Sequence, residues 1–156
     1  MYVITGGAGF IGSALLWQLN NSGVKDIIIV DDLGSEDKWK NLAKRHFQSI
    51  IPIDGFLPWL KTTSTKIDAI IHLGACSTTT EKDADYLVRN NFQYSVELFK
   101  ICARNNINFI YASSAATYGL GENGYSDDDA TTQSLRPINK YGFSKHIFDK
   151  WVLLQN

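Results

Sequence analysis

The segment Thr5-Gly6-Gly7-Ala8-Gly9-Phe10-Ile11-Gly12 constrains this chain more than any other. It follows a short apolar run, Tyr2-Val3-Ile4, and opens an amphipathic segment, the strand–turn–helix context in which a glycine-rich run carries meaning. The glycines fit two spacings, Gly7-x-Gly9-x-x-Gly12 and Gly6-x-x-Gly9-x-x-Gly12. In such a turn one glycine permits the tight bend, one lets a pyrophosphate reach the backbone, and one lets helix and strand pack closely. The free N–H groups at the helix start, and the positive end of its dipole, then face the phosphates. Ile11, Ala14, Leu15 and Leu19 predict the apolar stripe of that helix, which ends near Gly23. A second apolar run, Ile27 to Val30, ends in Asp31-Asp32, and Asp31 lies nineteen positions after Gly12, where an acid can reach an adenosine ribose.

Apolar and helical segments alternate along the rest of the chain. Glu36 to Arg45 reads as a short helix, Phe47 to Ile51 as a third strand, Pro52 to Gly55 as a turn and Phe56 to Lys61 as a weak helix. Ile67 to Leu73 is almost continuously apolar, as a parallel strand covered on both faces should be, and it delivers Gly74-Ala75-Cys76-Ser77. The longest helix is predicted from Asp83 to Asn105, with Val88, Phe92, Ser95, Phe99 and Cys102 on one face and Leu87, Asn91, Tyr94 and Leu98 beside them. Asn90 reads either as an exposed helix position or as a buried amide that orders the helix of an active site. Ile107 to Tyr111 is a fifth strand that ends in Ala112-Ser113-Ser114; a long polar loop, Gly119 to Arg136, precedes a last helix from Ile138 to Leu154. Alternation of this kind predicts an α/β fold, a doubly wound parallel sheet of the Rossmann type with strand order 3-2-1-4-5. Its ligands sit beyond the carboxyl ends of the strands, where the glycine run, Asp31, the Gly74–Ser77 turn and Ser114 all fall, so one site is expected.

The length, 156 residues, suits one domain, and the net charge of −1 gives no footprint for nucleic acid or a membrane surface. No apolar stretch is long enough to span a bilayer and no basic leader opens the chain. Cys76 and Cys102 lack metal-type spacing and read as reduced thiols of a cytoplasmic protein. Asp127-Asp128-Asp129 reads as a solvated loop, so no metal is expected; His46 and His146 read as surface residues, His72 as a strand-end hydrogen bonder, and the four tryptophans as packing.

Tyr141 and Lys145 are four apart on the last helix and share a face. An unperturbed phenol, with a pKa near ~10, is too weak a base at neutral pH, and a neighbouring ammonium favours the phenolate. The same lysine could bond a ribose hydroxyl, and Ser114 could hold the substrate oxygen that exchanges a proton. The set suits hydride transfer at a carbinol: tyrosinate takes the hydroxyl proton while the carbon gives hydride to a nicotinamide.

The stretch at 5–12 and the pattern Pro137-x-x-x-Tyr141-Gly142-x-Ser144-Lys145 resemble the extended short-chain dehydrogenase/reductase family, which modifies nucleotide-activated sugars. Gly74 to Glu81, Asn90 to Ser95 and Tyr111 to Gly119 resemble the branch that inverts C-6″ of an ADP-heptose nucleotide sugar in lipopolysaccharide inner-core synthesis. The resemblance implies NADP as cofactor and a homo-oligomer in the full-length enzyme. It also implies that Phe10 and Ile11 line the pyrophosphate turn, that Asp31, Asp32 and Lys38 surround the adenosine ribose, and that Leu73, Gly74, Ala75, Cys76, Ser77 and Asn90 flank the cofactor. Ser114, Tyr141 and Lys145 would act at the substrate. Two departures stand out. The family has an acid–amide pair where this chain has Asp31-Asp32, and a further lysine near Ile51-Pro52-Ile53-Asp54, so NAD stays open beside NADP. The family also carries a carboxyl-terminal half with most of the sugar site and a second catalytic lysine; this chain, 1–156, is expected to be the amino-terminal dinucleotide-binding part, without epimerase turnover of its own. A 4-epimerase and a non-catalytic dinucleotide-binding module stay open, whereas Ser114-Ala115-Ala116, in place of the Thr-Asp-Glu of 4,6-dehydratases, argues against dehydration.

Overall fold

The computed structural model describes residues 1–155, which divide into two compact units: Met1–Gly74 with Leu98–Tyr111, and Ala75–Glu97 with the chain from Ala112 onward.

The first unit holds the sheet. Its strands are β1 (Tyr2–Thr5), β2 (Ile27–Val30), β3 (Ser49–Ile51), β4 (Ala69–His72) and β5 (Asn108–Tyr111). All pair in parallel, in the order β3-β2-β1-β4-β5. This is the expected doubly wound Rossmann arrangement, and the order reverses between β1 and β4. Four successive aliphatic residues, Ile27 to Val30, are buried in β2, because a strand paired on both edges and covered on both faces has no solvent side. Helix α1 (Phe10–Asn21) packs Leu16 into a cluster with Ile4, Ala8, Ile27, Ile29 and Leu42, and each of the leucines and isoleucines contributes about 1.5–3 kcal/mol of burial. The buried face of α1 differs from the expected stripe: Gly12 and Leu16 are buried, Leu15 and Leu19 partly so, and Ile11 and Ala14 are exposed. The cause is Gly12, whose α-hydrogen side lies so close to the Gly6 carbonyl that it fixes the rotation of the helix and turns Ile11 outward. Helix α2 (Ile53–Thr62) begins inside the expected Pro52–Gly55 turn, and Glu36–Arg45 narrows to a 3-10 turn at Asp37–Asn41. Trp59 stacks on Phe56, but Trp17 and Trp39 are about half exposed, contrary to the packing role expected of them.

The second unit is helical. The expected long helix is present in three registers: α3 (Ala84–Leu87), a π turn (Val88–Gln93) and α4 (Tyr94–Arg104), whose last residues belong to the first unit. A π turn inserts a residue and rotates the helix beyond it by about 100°. The buried line is Leu87, Asn91, Ser95, Leu98 and Cys102, while Val88, Phe92 and Phe99 are half-buried. After a 3-10 turn at Ala115–Tyr118 comes the polar loop, which contains the short helix α5 (Asp129–Thr132), capped by Asp128. Its ends meet: Gly119, at φ +65°, abuts the Arg136 carbonyl so closely that a Cβ there would lie 1.8 Å from it. Helix α6 (Lys140–Val152) is shorter than expected at both ends, and Trp151 stacks on Phe148.

Candidate functional site

In the first unit, the glycine turn divides its labour unevenly. Gly6 has φ +67°, and a Cβ there would lie 2.7 Å from the Gly74 nitrogen. A Cβ on Gly12 would lie 2.2 Å from the Gly6 carbonyl oxygen, and one on Gly7 would meet the Ile29 side chain at 2.7 Å. These three are required by the protein's own packing. At Gly9 a Cβ would meet only the Gly6 oxygen, at 3.1 Å. Helix α1 starts there with no side-chain cap and no acidic residue in its first turn, and Phe10 and Ile11 are 90% and 65% exposed. An uncapped helix start beside an unobstructed glycine suits a phosphate.

Asp31, buried at the end of β2, accepts the Ala8 N–H at 2.9 Å through one carboxylate oxygen and pairs with the Lys38 ammonium through the other. Lys38 also donates to the Asp32 carbonyl at 3.2 Å. The Asp32 carboxylate accepts the Ile53 N–H at 3.0 Å and so caps α2, whose own N-cap residue, Pro52, offers no side-chain acceptor. Both acids therefore hold structural bonds beside any ribose role. Asn41 donates to the Ala8 carbonyl at 2.9 Å and fixes the far side of the turn. Leu73 and Gly74 leave β4, and the Gly74 N–H donates to Thr5 Oγ1, which also bonds buried His72 at 2.6 Å, the strand-end role expected of that histidine. An unobstructed phosphate cradle with a buried carboxylate at the end of the next strand fits a dinucleotide.

In the second unit, the structure brings Ser114, Tyr141 and Lys145 onto adjoining elements. The start of α6 lies against the 3-10 turn that follows Ser114: a Cβ on Gly142 would be 2.6 Å from the Ala116 carbonyl oxygen. Asn139 caps α6 by accepting the Gly142 N–H at 2.6 Å. Tyr141 is half-buried on the first turn; Lys145, one turn later, is only 3% exposed. Burial pushes the Lys145 ammonium below the ordinary lysine range, and the Asp149 carboxylate opposes that. Ser114 Oγ accepts the Ala116 N–H at 3.2 Å and keeps its own proton to donate. With Ser113, Ala115, Thr117, Tyr118 and Asp127 it lines an open cavity of about 420 Å³, in which the Tyr118 hydroxyl donates to Asp127.

The amide that orders α6 is Asn91, not Asn90. Asn90 is half-buried and donates to Tyr86 of its own helix. Asn91 is fully buried; it accepts the Cys76 N–H at 2.8 Å and donates to the Cys76 carbonyl at 3.0 Å and to Ser144 Oγ at 2.9 Å. Ser144 in turn donates to the Tyr141 carbonyl at 2.7 Å. The Ala75–Ser77 turn and the first turns of α6 thus share one side chain. Asn91 lies within the π turn, on the buried line with Leu87, Ser95, Leu98 and Cys102. His146, expected on the surface, is buried; burial, with Lys150 and Arg136, holds its imidazole below the usual histidine range against the opposing Asp149. Cys102 is a buried thiol pushed up to about 12 by its burial. Among the described residues no cluster of three His, Cys, Asp or Glu is placed to hold a metal.

Gly142 carried a signal, since a glycine one residue inside a helix costs about 1 kcal/mol and marks a close approach. The Asn139-x-x-Gly142 cap is equally readable. Asn41 and Asp149 left none, because their partners are remote in sequence or depend on the end of β5.

Residues 2–155 match the model of the NAD dependent epimerase/dehydratase family. The chain is 54% identical, over 99% of its length, to the ADP-L-glycero-D-manno-heptose-6-epimerase of Fusobacterium nucleatum, and 50% identical, over 97%, to that of Nitratidesulfovibrio vulgaris. It spans about half the length of these curated relatives, 48% of each. Among solved structures it resembles the Helicobacter pylori enzyme of the same name, with a TM-score of 0.74 and 30% identity over 98% of this chain and 50% of that one. It also resembles the UDP-Glc/GlcNAc 4-epimerase of Campylobacter jejuni, with a TM-score of 0.76 and 29% identity over 98% of this chain and 47% of that one. With nearly every residue inside the family match and the fold shared with solved epimerases, the chain belongs to the NAD dependent epimerase/dehydratase family.

Proposed function

We propose that these residues are the dinucleotide-binding part of an ADP-L-glycero-D-manno-heptose 6-epimerase, with Tyr141 as its acid–base residue. The observation that carries the reading is the buried Lys145 one turn from half-buried Tyr141, on a helix packed against the turn of Ser114, in a chain half identical to enzymes of that name. Gly6, Gly7, Gly9 and Gly12 would hold the pyrophosphate, with Phe10 and Ile11 at its rim. Asp31, Asp32 and Lys38 would surround the adenosine ribose, and Leu73 to Ser77 with Asn90 would flank the rest. A bound nicotinamide supplies the acceptance and return of a hydride. Tyr141 takes the proton of the C-6″ hydroxyl as that carbon is oxidised; when the ketone is reduced on its opposite face, the proton would come from a second base, the lysine that the family carries in its carboxyl-terminal half. Ser114 donates a hydrogen bond to the reacting oxygen, and Lys145 fixes the ribose. The sugar would be held mostly by chain beyond these residues, in a homo-oligomeric full-length enzyme.

NADP is the proposed cofactor, with Lys38 opposite the 2′-phosphate. The engagement of Asp31 by Lys38 and Ala8, and of Asp32 by Ile53, supports this by compensating the two carboxylates. Calorimetric titration of both dinucleotides into the chain tests it. NADP should bind more tightly, and Lys38→Ala should close the gap; a preference for NAD that Lys38→Ala leaves unchanged would refute it. For the reaction, the full-length protein should convert ADP-D-glycero-D-manno-heptose to its 6″-epimer, followed by chromatography, and Tyr141→Phe should lower the rate about 10²–10⁴-fold. Full turnover in Tyr141→Phe would remove tyrosine from the mechanism.

A further inference from the structure

Lys145 is an ammonium with almost no access to water, and a buried charge needs compensation. The elements packed on α6 are α3, the π turn, the 3-10 turn after Ser114, and α5. They bring Asp85, Tyr86, Arg89, Tyr118 and Asp129; α6 itself adds Lys140, Tyr141, His146 and Lys150; and Arg136 lies in the loop before it. Among these charges, the Asp149 carboxylate acts on Lys145 in opposition to burial. It stands four residues on, on the same helical face. The same carboxylate accepts the Ser113 hydroxyl at 2.5 Å. Ser113 is the residue before Ser114, so this bond holds the segment that carries Ser114 to the middle of α6, while Gly142 and Ala116 meet at its start.

We propose that Asp149 is the positioning residue of the catalytic set: its bond to Ser113 latches the segment that carries Ser114 onto α6, and its charge sustains the Lys145 ammonium one turn away. Two tasks in one carboxylate can be separated chemically. An asparagine keeps an acceptor oxygen for Ser113 and loses the charge; an alanine at 113 keeps the charge and loses the latch. The inference rests on the reading of Ser114, Tyr141 and Lys145 as the reacting set, but its observables belong to the ammonium and the backbone, so its failure is distinguishable from failure of that reading.

The test uses the 156-residue chain with ε-¹³C-labelled lysine, Lys145 being assigned by Lys145→Arg, and tracks the Lys145 carbon shift against pH together with hydrogen exchange of the Ala116 amide. In Asp149→Asn the lysine midpoint should fall, because removing a nearby anion favours the neutral amine, and Ala116 should stay protected. In Ser113→Ala the midpoint should stay and Ala116 exchange should quicken several-fold. An unchanged midpoint in Asp149→Asn overturns the charge role, and unchanged Ala116 protection in Ser113→Ala overturns the latch. Should Asp149→Asn not fold, Asp149→Ser carries the charge test: it removes the anion, and an unchanged lysine midpoint in it overturns the charge role, whereas a lowered one supports it.

Discussion

At the scale of the residue, the glycine turn separates demands that one consensus line would merge. Gly12 is required by the fold: its added Cβ would lie 2.2 Å from the Gly6 oxygen and 2.7 Å from the Gly7 α-carbon, both backbone atoms with nowhere to go. Gly9 is crowded only by one oxygen at 3.1 Å. Gly12→Ala should therefore cost about 1–3 kcal/mol by overpacking, read as a drop in the urea midpoint, with binding lost alongside stability. Gly9→Val should keep most of the midpoint yet abolish dinucleotide binding, since the new side chain occupies the phosphate's approach. Equal affinity in wild type and Gly9→Val would mean that phosphates do not come to this turn. The run of glycines was legible from spacing alone; which of them serves the fold and which is left for a ligand was not, because that depends on Gly74 and Ile29, which come from other parts of the chain.

At the scale of the element, the π turn at Val88–Gln93 carries the amide that ties two other segments together, since Asn91 bonds both Cys76 and Ser144. Asn91→Ala would strand the Cys76 N–H and carbonyl and take one bond from the Ser144 hydroxyl, which keeps the Tyr141 carbonyl, and should cost about 2–4 kcal/mol, measured by urea denaturation. Asn91→Asp keeps the acceptor for Cys76 N–H and loses both donations, so it should also destabilise. A variant Asn91→Ala as stable as wild type would show that these bonds contribute nothing net. Strand order and the identity of every strand were readable because continuous aliphatic runs such as Ile27–Val30 admit few other structures. The facing of α1 and of the long helix was not. Apolar periodicity counts side chains: in α1 a close-packed glycine sets the rotation, and in the long helix the buried line includes the polar Asn91 and Ser95, which an apolar count passes over. Likewise Tyr141 and Lys145 were readable as a pair at helical spacing, while the buried Asn91 and the Asp149 latch depend on contacts that only the folded chain makes.

At the scale of the whole molecule, acid sensitivity should trace in part to one imidazole. His146 is buried, and its folded-state pKa lies below the ordinary value of 6.5 chiefly through burial. The unfolded chain then takes up a proton at higher pH than the folded one. The stability that neutral His146 permits is complete above pH 6.5 and is lost as pH falls from there toward the folded value. Urea midpoints at about pH 7.5 and about pH 5.5 should differ in wild type and differ less in His146→Leu; an identical pH slope in both would remove the histidine from the account. No helix among the described residues is long and apolar enough to cross a membrane. The polar loop from Gly119 to Arg136 has a consequence of another kind. Its two ends touch, so chain added between them enlarges a ring without moving the span that the ring bridges, and doubling such a loop costs only about 0.6 kcal/mol in closure entropy. Chain added there would leave Ser114 and Tyr141, just outside the ring on either side, in their places.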